Sequence, residues 1–426
     1  MPPWSLSASE LDRPLSGPDH FHWLVHRAMR ARGLAGNVSR MRFDLGTGVD
    51  AEAVAAALRA SPVVGPLGRL RWTVRWPWLP RWRVLPNAPD IVHLHRADEA
   101  GAWLTERLGD RLGQEGLLRF DVVAVGDRTQ VLVSFHHALF DHQGMLNLLH
   151  AVEAGGWAGP TFPPEDRASA PGAWRDVMAG AAQAFRTSGP RLGSLWVRDR
   201  PAPAVPRFRV VRFTPDETRR IDDRARTTGA ALARSAHFMA VAARLVNATL
   251  ERRGTTARYL WFSAPVDQRP RGAPGHLLTN VTSFLFFRLE PAQLKDTASA
   301  VRALNGQLVE QVRARFPHRY RALLRAFRRL PAWLSAAMVD LPSLGRWSSF
   351  GFSDLGDLDR MPSTFTGRPI AEVLHLPPVP APPGLSVVVG RERGALMVVL
   401  GHDARALDED EADGFVSGLR GLLLGG

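Results

Sequence analysis

The sequence predicts an α/β protein built in two halves, and three observations carry this. A chain of 426 residues is too long for one ordinary core and long enough for two. Apolar strand-like runs alternate with helix starts, and one strand-to-helix turn carries the run His136-His137-Ala138-Leu139-Phe140-Asp141-His142-Gln143-Gly144. Between about Thr187 and Pro206 the chain is rich in Gly, Pro and Arg, including Pro190, Pro201, Pro203 and Pro206, as expected of a linker. The expected division is therefore a first half over 1–186, a linker over 187–206 and a second half over 207–426.

The elements follow in order. Val38 to Leu45 reads as a strand, and Asp50 as the N-cap of a helix through Ala60. Arg69 to Trp76 places Leu70, Trp72, Val74 and Trp76 on one face of a half-buried strand. Leu117 to Val125 and Gln130 to Phe135 flank Gly126-Asp127, a hairpin signal. The apolar run Met145 to Leu149 starts a helix after the histidine turn. The second half opens with a strand from Arg207 to Phe213, then a helix with Thr214 as N-cap and Pro215 in its first turn. A helix over Ala231 to Leu250 follows, then strands near Tyr259 to Ala264 and Asn280 to Leu289 and a helix over Leu294 to Val312. Pro377 to Pro383 is stiff and reads as a surface connector. Strands over Leu385 to Val389 and Ala395 to Leu400 and a helix from Asp408 to Leu424 close the chain. No internal repeat of fixed period is present.

Composition narrows the function classes. The chain has no cysteine, which excludes disulfides, thiolate nucleophiles and cysteine metal sites and is consistent with a cytoplasmic protein. No apolar run is long enough to span a bilayer, and Met1 to Ser5 shows no start of a secretory signal. Net charge is +13, and every basic residue except Lys295 is arginine. Genome composition bias is the plain reading of this, and attraction to phosphates or anionic lipid is the functional alternative. No nucleic-acid-binding motif or basic tail is present, so no nucleic-acid partner is expected. Residues His318 to Met338 interleave basic residues with Leu323, Leu324, Phe327, Leu330, Trp333 and Leu334. They read as an ordinary helix pair over a core, with peripheral membrane contact as the alternative.

The chemistry concentrates in the histidine run. Strand ends feeding a turn aim side chains into clefts, and a neutral imidazole there takes a proton from a hydroxyl or amine near pH 7. His93 and His95, like His20 and His22, alternate along the chain. Neither pair has a third ligand at metal spacing, so solvated strand faces and no metal site are expected. Gly46-Thr47-Gly48 lacks the rest of a phosphate loop, and no Gly-x-Ser-x-Gly nucleophile elbow is present.

His136, His137 and Asp141 match His-His-x-x-x-Asp-Gly, the hallmark of the CoA-dependent acyltransferase superfamily. That superfamily includes chloramphenicol acetyltransferase, plant acyltransferases, wax-ester synthases and peptide-synthetase condensation domains. Leu118 to Val122 resembles the strand before the hallmark. Ala264-Pro265-Val266-Asp267-Gln268-Arg269-Pro270 is similar to the family's Pro-Val-Asp-Leu-Arg-Pro segment, Asn280 to its Gly-Asn or Val-Asn strand, and Phe352-Ser353-Asp354-Leu355-Gly356 to its late Ser-Asn-x-Gly element. These landmarks occur in family order over about 118–356. One departure is His142, where the family usually has glycine; Gly144 is the nearby candidate to relieve the turn.

The resemblance implies two chloramphenicol-acetyltransferase-like α/β sandwich halves forming a V with a central tunnel, and a crossover segment around 351–384. It implies His137 as general base, His136 as a loop support, and an Asp141–Arg269 ion pair between the halves. His142, Gly144, Asn280 and Ser353 are the expected tunnel or substrate residues. The donor would be a CoA or phosphopantetheine thioester, from acyl-CoA or an acyl or peptidyl carrier protein, with no permanently bound cofactor. The acceptor would be a small-molecule or lipidic alcohol or amine. Amide formation of the nonribosomal-peptide type and a non-catalytic acyl- or carrier-binding role are the alternatives. Intact His137 and Asp141 argue against the last, and the absence of a fused carrier or adenylation segment points to a freestanding transferase.

Overall fold

A computed structural model describes residues 13–425 except 75–79, 88, 113–115, 164–172, 204, 231–233, 271–274, 341–342 and 344. Trp76, the start of the helix expected from Ala231 and the residues read for a secretory signal lie outside the described residues. The first half begins with helix α1 (Gly17–Ala31), strand β1 (Val38–Thr47), helices α2 (Ala51–Ala60) and α3 (Val64–Gly68), and the hairpin β2 (Leu70–Val74) and β3 (Pro80–Val84). It continues through β4 (Val92–Ala97), α4 (Ala100–Leu108), β5 (Leu118–Val125), β6 (Arg128–His136), α5 (His142–Glu153) and α6 (Ala173–Thr187). The hairpin expected at Gly126 is present, with φ of 59° at that glycine, a conformation glycine adopts at little cost.

The second half contains β7 (Arg207–Arg212), α7 (Pro215–Thr227), α8 (Arg234–Arg252), β8 (Leu260–Asp267), β9 (Thr282–Leu289), α9 (Thr297–Arg313), α10 (Phe316–Phe327), α11 (Ala332–Asp340) and β10 (Gly351–Asp357). A two-strand ribbon, β11 (Thr364–Phe365) and β12 (Arg368–Pro369), precedes β13 (Glu372–Leu376), β14 (Leu385–Glu392), β15 (Ala395–His402) and α12 (Glu409–Leu424). Thr214 caps α7 through a reciprocal capping box with Glu217, as its sequence signals. Helix α9 starts later than expected, because a 3-10 turn over Pro291–Leu294 intervenes and Asp296 is its cap.

Two mixed sheets organise the molecule. The first has order β13-β1-β6-β5-β4 and the second β7-β15-β14-β10-β8-β9. Strand β10 stays in the second sheet, parallel to β8 and β14. The crossing is made by β13, which leaves the second half and pairs antiparallel with β1, placing His375 opposite Met41. Each sheet has its own large apolar cluster, one around Phe43, Phe120 and Phe140 and one around Phe262, Phe287 and Phe350. The fold is thus the two-layered α/β arrangement in two halves that the motifs imply.

Two expectations need correction. The segment His20 to His26 is helix: Ser16 and Asp19 form a capping box, with Pro18 in the first turn. The proline-rich stretch is an interior element: Val379 is 5% and Ala381 0% exposed. It follows β13 across the seam and so is enclosed by both halves. The basic stretch from His318 to Met338 is, as expected, a helix pair, α10 and α11, whose Leu323 and Leu324 are buried against core, while Trp333 is exposed.

Candidate active site

The site grows from β6, buried from Thr129 to its end at His136. The strand stops there because the next amides turn away: His137 N–H donates to Asn37 O at 3.0 Å and Leu139 N–H to His136 O at 2.8 Å. Asp141 then caps α5 in extended conformation, its Oδ1 accepting the Gly144 N–H at 2.9 Å. This strand–turn–helix unit carries His137 to a cavity of about 510 Å³ in the seam between the halves. Ser39 and Met41 of β1 line it from one side, and Ser263, Phe284 and Ser386 from the other.

His137 is partly exposed to this cavity, and its Nδ1 is buried. Burial is the first cause that holds its pKa below the ordinary histidine value, so the ring is neutral near pH 7. The ring of His22 lies flat against it, with centroids 4.0 Å apart and planes 6° apart. Asn37 holds His22 in turn, its Nδ2 lying 3.1 Å from His22 Nδ1 and donating to His22 O at 3.2 Å. His136 points away from the cavity and is fully buried. Its Nδ1 accepts the Ala138 N–H at 3.0 Å, and its ring meets Trp72 edge-on at 4.4 Å, so it braces the turn.

Asp141 binds across the seam. Its carboxylate accepts Arg269 NH2 at 2.9 Å and NH1 at 3.0 Å, Val281 N–H at 2.9 Å and the Thr282 hydroxyl at 3.2 Å, besides the Gly144 amide. Burial acts to raise its pKa, but Arg269 and these donors outweigh it and hold the carboxyl below the usual range. With its oxygens saturated, Asp141 is a latch between the halves.

The other expected residues separate into two groups. His142 and Ser353 line the cavity, whereas Gly144 and Asn280 stand behind it. Gly144 relieves no strained turn, since neither it nor His142 has positive φ. His142 occupies the first position of α5, where any side chain fits. What glycine provides at 144 is room, because a Cβ there would lie 3.3 Å from Leu277 O. Asn280 donates from Nδ2 to His137 O at 2.9 Å and to Asp19 Oδ1 at 2.9 Å, tying the turn to α1.

Asp19, His22, Asn37 and His375 are the residues that sequence reading missed. The Ser16-Gly17-Pro18-Asp19 capping pattern was the available signal for the first two, since it makes the segment a helix and sets His22 and His26 on one face. Nothing local marks Asn37 or His375. The solvated face expected for His93 and His95 holds at His93, which is exposed, and needs revision at His95. His95 Nε2 lies 2.8 Å from Asp121 Oδ1, because β4 runs parallel to β5 and brings in a carboxylate remote in sequence. Among the described residues no group of three His, Asp or Glu side chains could hold a metal, and no helix is long and apolar enough to cross a membrane.

Asp19 yields a pH prediction. Burial raises its pKa from 3.8 to about 6. The native state therefore binds this proton more tightly than the unfolded chain. The resulting stabilisation is fully present below about pH 4 and is lost as the pH climbs through 6. In Asp19→Ala, which also leaves the buried Asn280 backbone N–H unpaired at a cost of about 1–3 kcal/mol, the stability deficit relative to wild type should be widest near pH 4 and narrow toward pH 6. Denaturant unfolding across that range checks this; a deficit independent of pH refutes it.

No protein-family model matches the chain, and no curated protein matches it. Solved structures do. The first condensation domain of the calcium-dependent antibiotic synthetase, in complex with a substrate analogue, is similar at TM-score 0.69 and 17% identity, covering 98% of this chain and 97% of that one. The TRI3 trichothecene 15-O-acetyltransferase from Fusarium sporotrichioides is similar at TM-score 0.71 and 11% identity, covering 99% of each. The epimerization domain from the third module of tyrocidine synthetase B is similar at TM-score 0.62 and 13% identity, covering 94% of each. The chain therefore shares the fold of these condensation, acetyltransferase and epimerization structures along nearly its whole length.

Proposed function

We propose that this protein is an acyltransferase that moves an acyl group from a CoA or carrier-protein thioester to an alcohol or amine, with His137 as general base. The observation that carries the reading is a neutral imidazole, held by Asn37 and Asn280 through its own backbone and by His22 through its ring, on the wall of a seam cavity. With Nδ1 buried, Nε2 is the nitrogen offered to substrate. It takes the proton of the acceptor O–H or N–H as that atom attacks the thioester carbonyl, then passes the proton to the departing thiolate. No acyl-enzyme is required. Asp141 takes no proton, because its oxygens are bound to Arg269 and backbone donors.

The test is incubation of the purified protein with a panel of acyl-CoAs and acyl-carrier proteins, each with alcohol and amine acceptors, and mass-spectrometric detection of products. Ester products support O-acyl transfer, amide products support the condensation reading, and no product with any pair rejects both. A further expectation follows from the excess of arginine. Donor phosphates would engage guanidinium groups by charge-assisted hydrogen bonds. Exposed parts of such attraction are screened over a Debye length of about 8 Å at physiological salt. Apparent affinity for acyl-CoA should weaken as salt rises, while an acyl-pantetheine lacking phosphates should respond little. Equal, salt-insensitive binding of both would show that the arginines do not serve the donor.

A further inference from the structure

His142 lines the cavity from the start of α5, and both of its ring nitrogens are buried without a hydrogen-bond partner. Its ring lies 5.9 Å, centroid to centroid, from that of His375 on β13. His375 is 7% exposed; its Nε2 lies 3.0 Å from the Ser39 hydroxyl, and its Nδ1 is buried and unpartnered. Ser39 and His375 line the same cavity, and Met41, Phe135 and Phe284 make much of the remaining wall apolar. Buried polar atoms nearly always have a partner. Three that lack one, gathered beside a single cavity, mark a place for a polar group supplied from outside.

The electrical state of the two rings narrows what that group is. Burial pushes His142 down to about 4 and His375 to about 3. Asp141 opposes the shift at His142, whereas His142 and His137 add to it at His375. Both rings are therefore neutral near pH 7; His142 offers one N–H donor and one acceptor nitrogen, and His375 offers Nδ1, its Nε2 being paired with Ser39. A carboxylate or ammonium placed between them would find no counter-charge in either neutral ring, which is costly in a buried site. A hydroxyl both donates and accepts, and matches.

We propose that His142, His375 and Ser39 form a subsite for an uncharged hydroxyl of the substrate, so that the substrate carries a hydroxyl besides the group that is acylated. The inference rests on the acyl-transfer reading for which group reacts. The hydroxyl-binding subsite itself does not. The usual glycine of the motif has no side chain at position 142, so the subsite belongs to this chain.

The test is calorimetric binding of decanol, its vicinal diol, decanoate and decylamine to wild type, His142→Phe and His375→Phe, with circular dichroism to confirm folding. Wild type should bind the diol roughly 10-fold more tightly than decanol, the scale of one well-made hydrogen bond in a buried site. It should bind the two charged probes more weakly than the diol. The diol preference should fall to about 2-fold or less in each folded variant. Equal wild-type affinity for diol and decanol, tighter binding of a charged probe, or a preference that survives both substitutions would overturn the proposal. If the variants do not fold, the wild-type comparison decides alone. Binding requires no turnover, so a diol preference in a protein that transfers no acyl group would retain the subsite and reject the transferase reading.

Discussion

Replacing His137 with alanine is expected to leave the protein folded and to lower acyl transfer by roughly 100-fold or more, the usual scale for a positioned general base. The fold should survive because the contacts that hold the turn are made by the backbone of His137, through Asn37 O and Asn280 Nδ2, and by its neighbours. Loss of the ring removes the stacking partner of His22 and opens space into an existing cavity. Neither of the other two motif residues takes over the proton. His136 is fully buried and faces away, and Asp141 is saturated. Single-turnover transfer by His137→Ala, with matched circular dichroism, is the measurement. Near-normal turnover by the folded variant would remove His137 from the chemistry.

Arg269→Ala should instead act first on stability. Its guanidinium is 13% exposed and makes two hydrogen bonds to an Asp141 side chain that is 7% exposed. Removing one partner of a buried pair costs about 3–5 kcal/mol, because the remaining charge stays buried without compensation. The pH sense is fixed by the direction of the shift. The folded Asp141 carboxyl lies below its unfolded range. Its stabilisation is therefore present above the unfolded carboxylate pKa of about 4 and is lost as the pH falls through the folded value. The opposite holds for Asp19. Denaturant unfolding near neutral pH should show the loss in Arg269→Ala, and the difference from wild type should shrink in acid. Activity should fall with it, since the latch sets the histidine turn against β9. A variant as stable as wild type at every pH would show that the pair does not hold the halves together.

Much of the fold was legible in local patterns. Asp50 and Thr214 cap helices where their sequences signal it, and the last helix begins beside Asp408 as expected. Gly126 turns the hairpin, and the histidine motif lies between strand and helix as its apolar flanks require. The misses have physical causes. His20 and His22 were read at a strand period because two residues cannot distinguish a period of two from one of 3.6. The capping box beside them was the stronger signal. The proline-rich segment was placed on the surface by composition, but burial depends on what packs over a segment.

What the sequence alone determined is the set of groups and their local placement: a histidine at a strand end, a carboxylate at a helix cap, and an arginine in a proline-flanked segment 128 positions from Asp141. These depend on backbone propensity, capping and turn chemistry, all of which act within a few residues. The tertiary structure alone decided which remote groups surround His137. It laid His22 of α1 on His137, brought Asn37 and Asn280 to the same turn, and carried His375 on β13 across to the first sheet. Those neighbours are set by how two sheets and a crossing strand pack, and packing pairs residues by shape and burial irrespective of their distance along the chain.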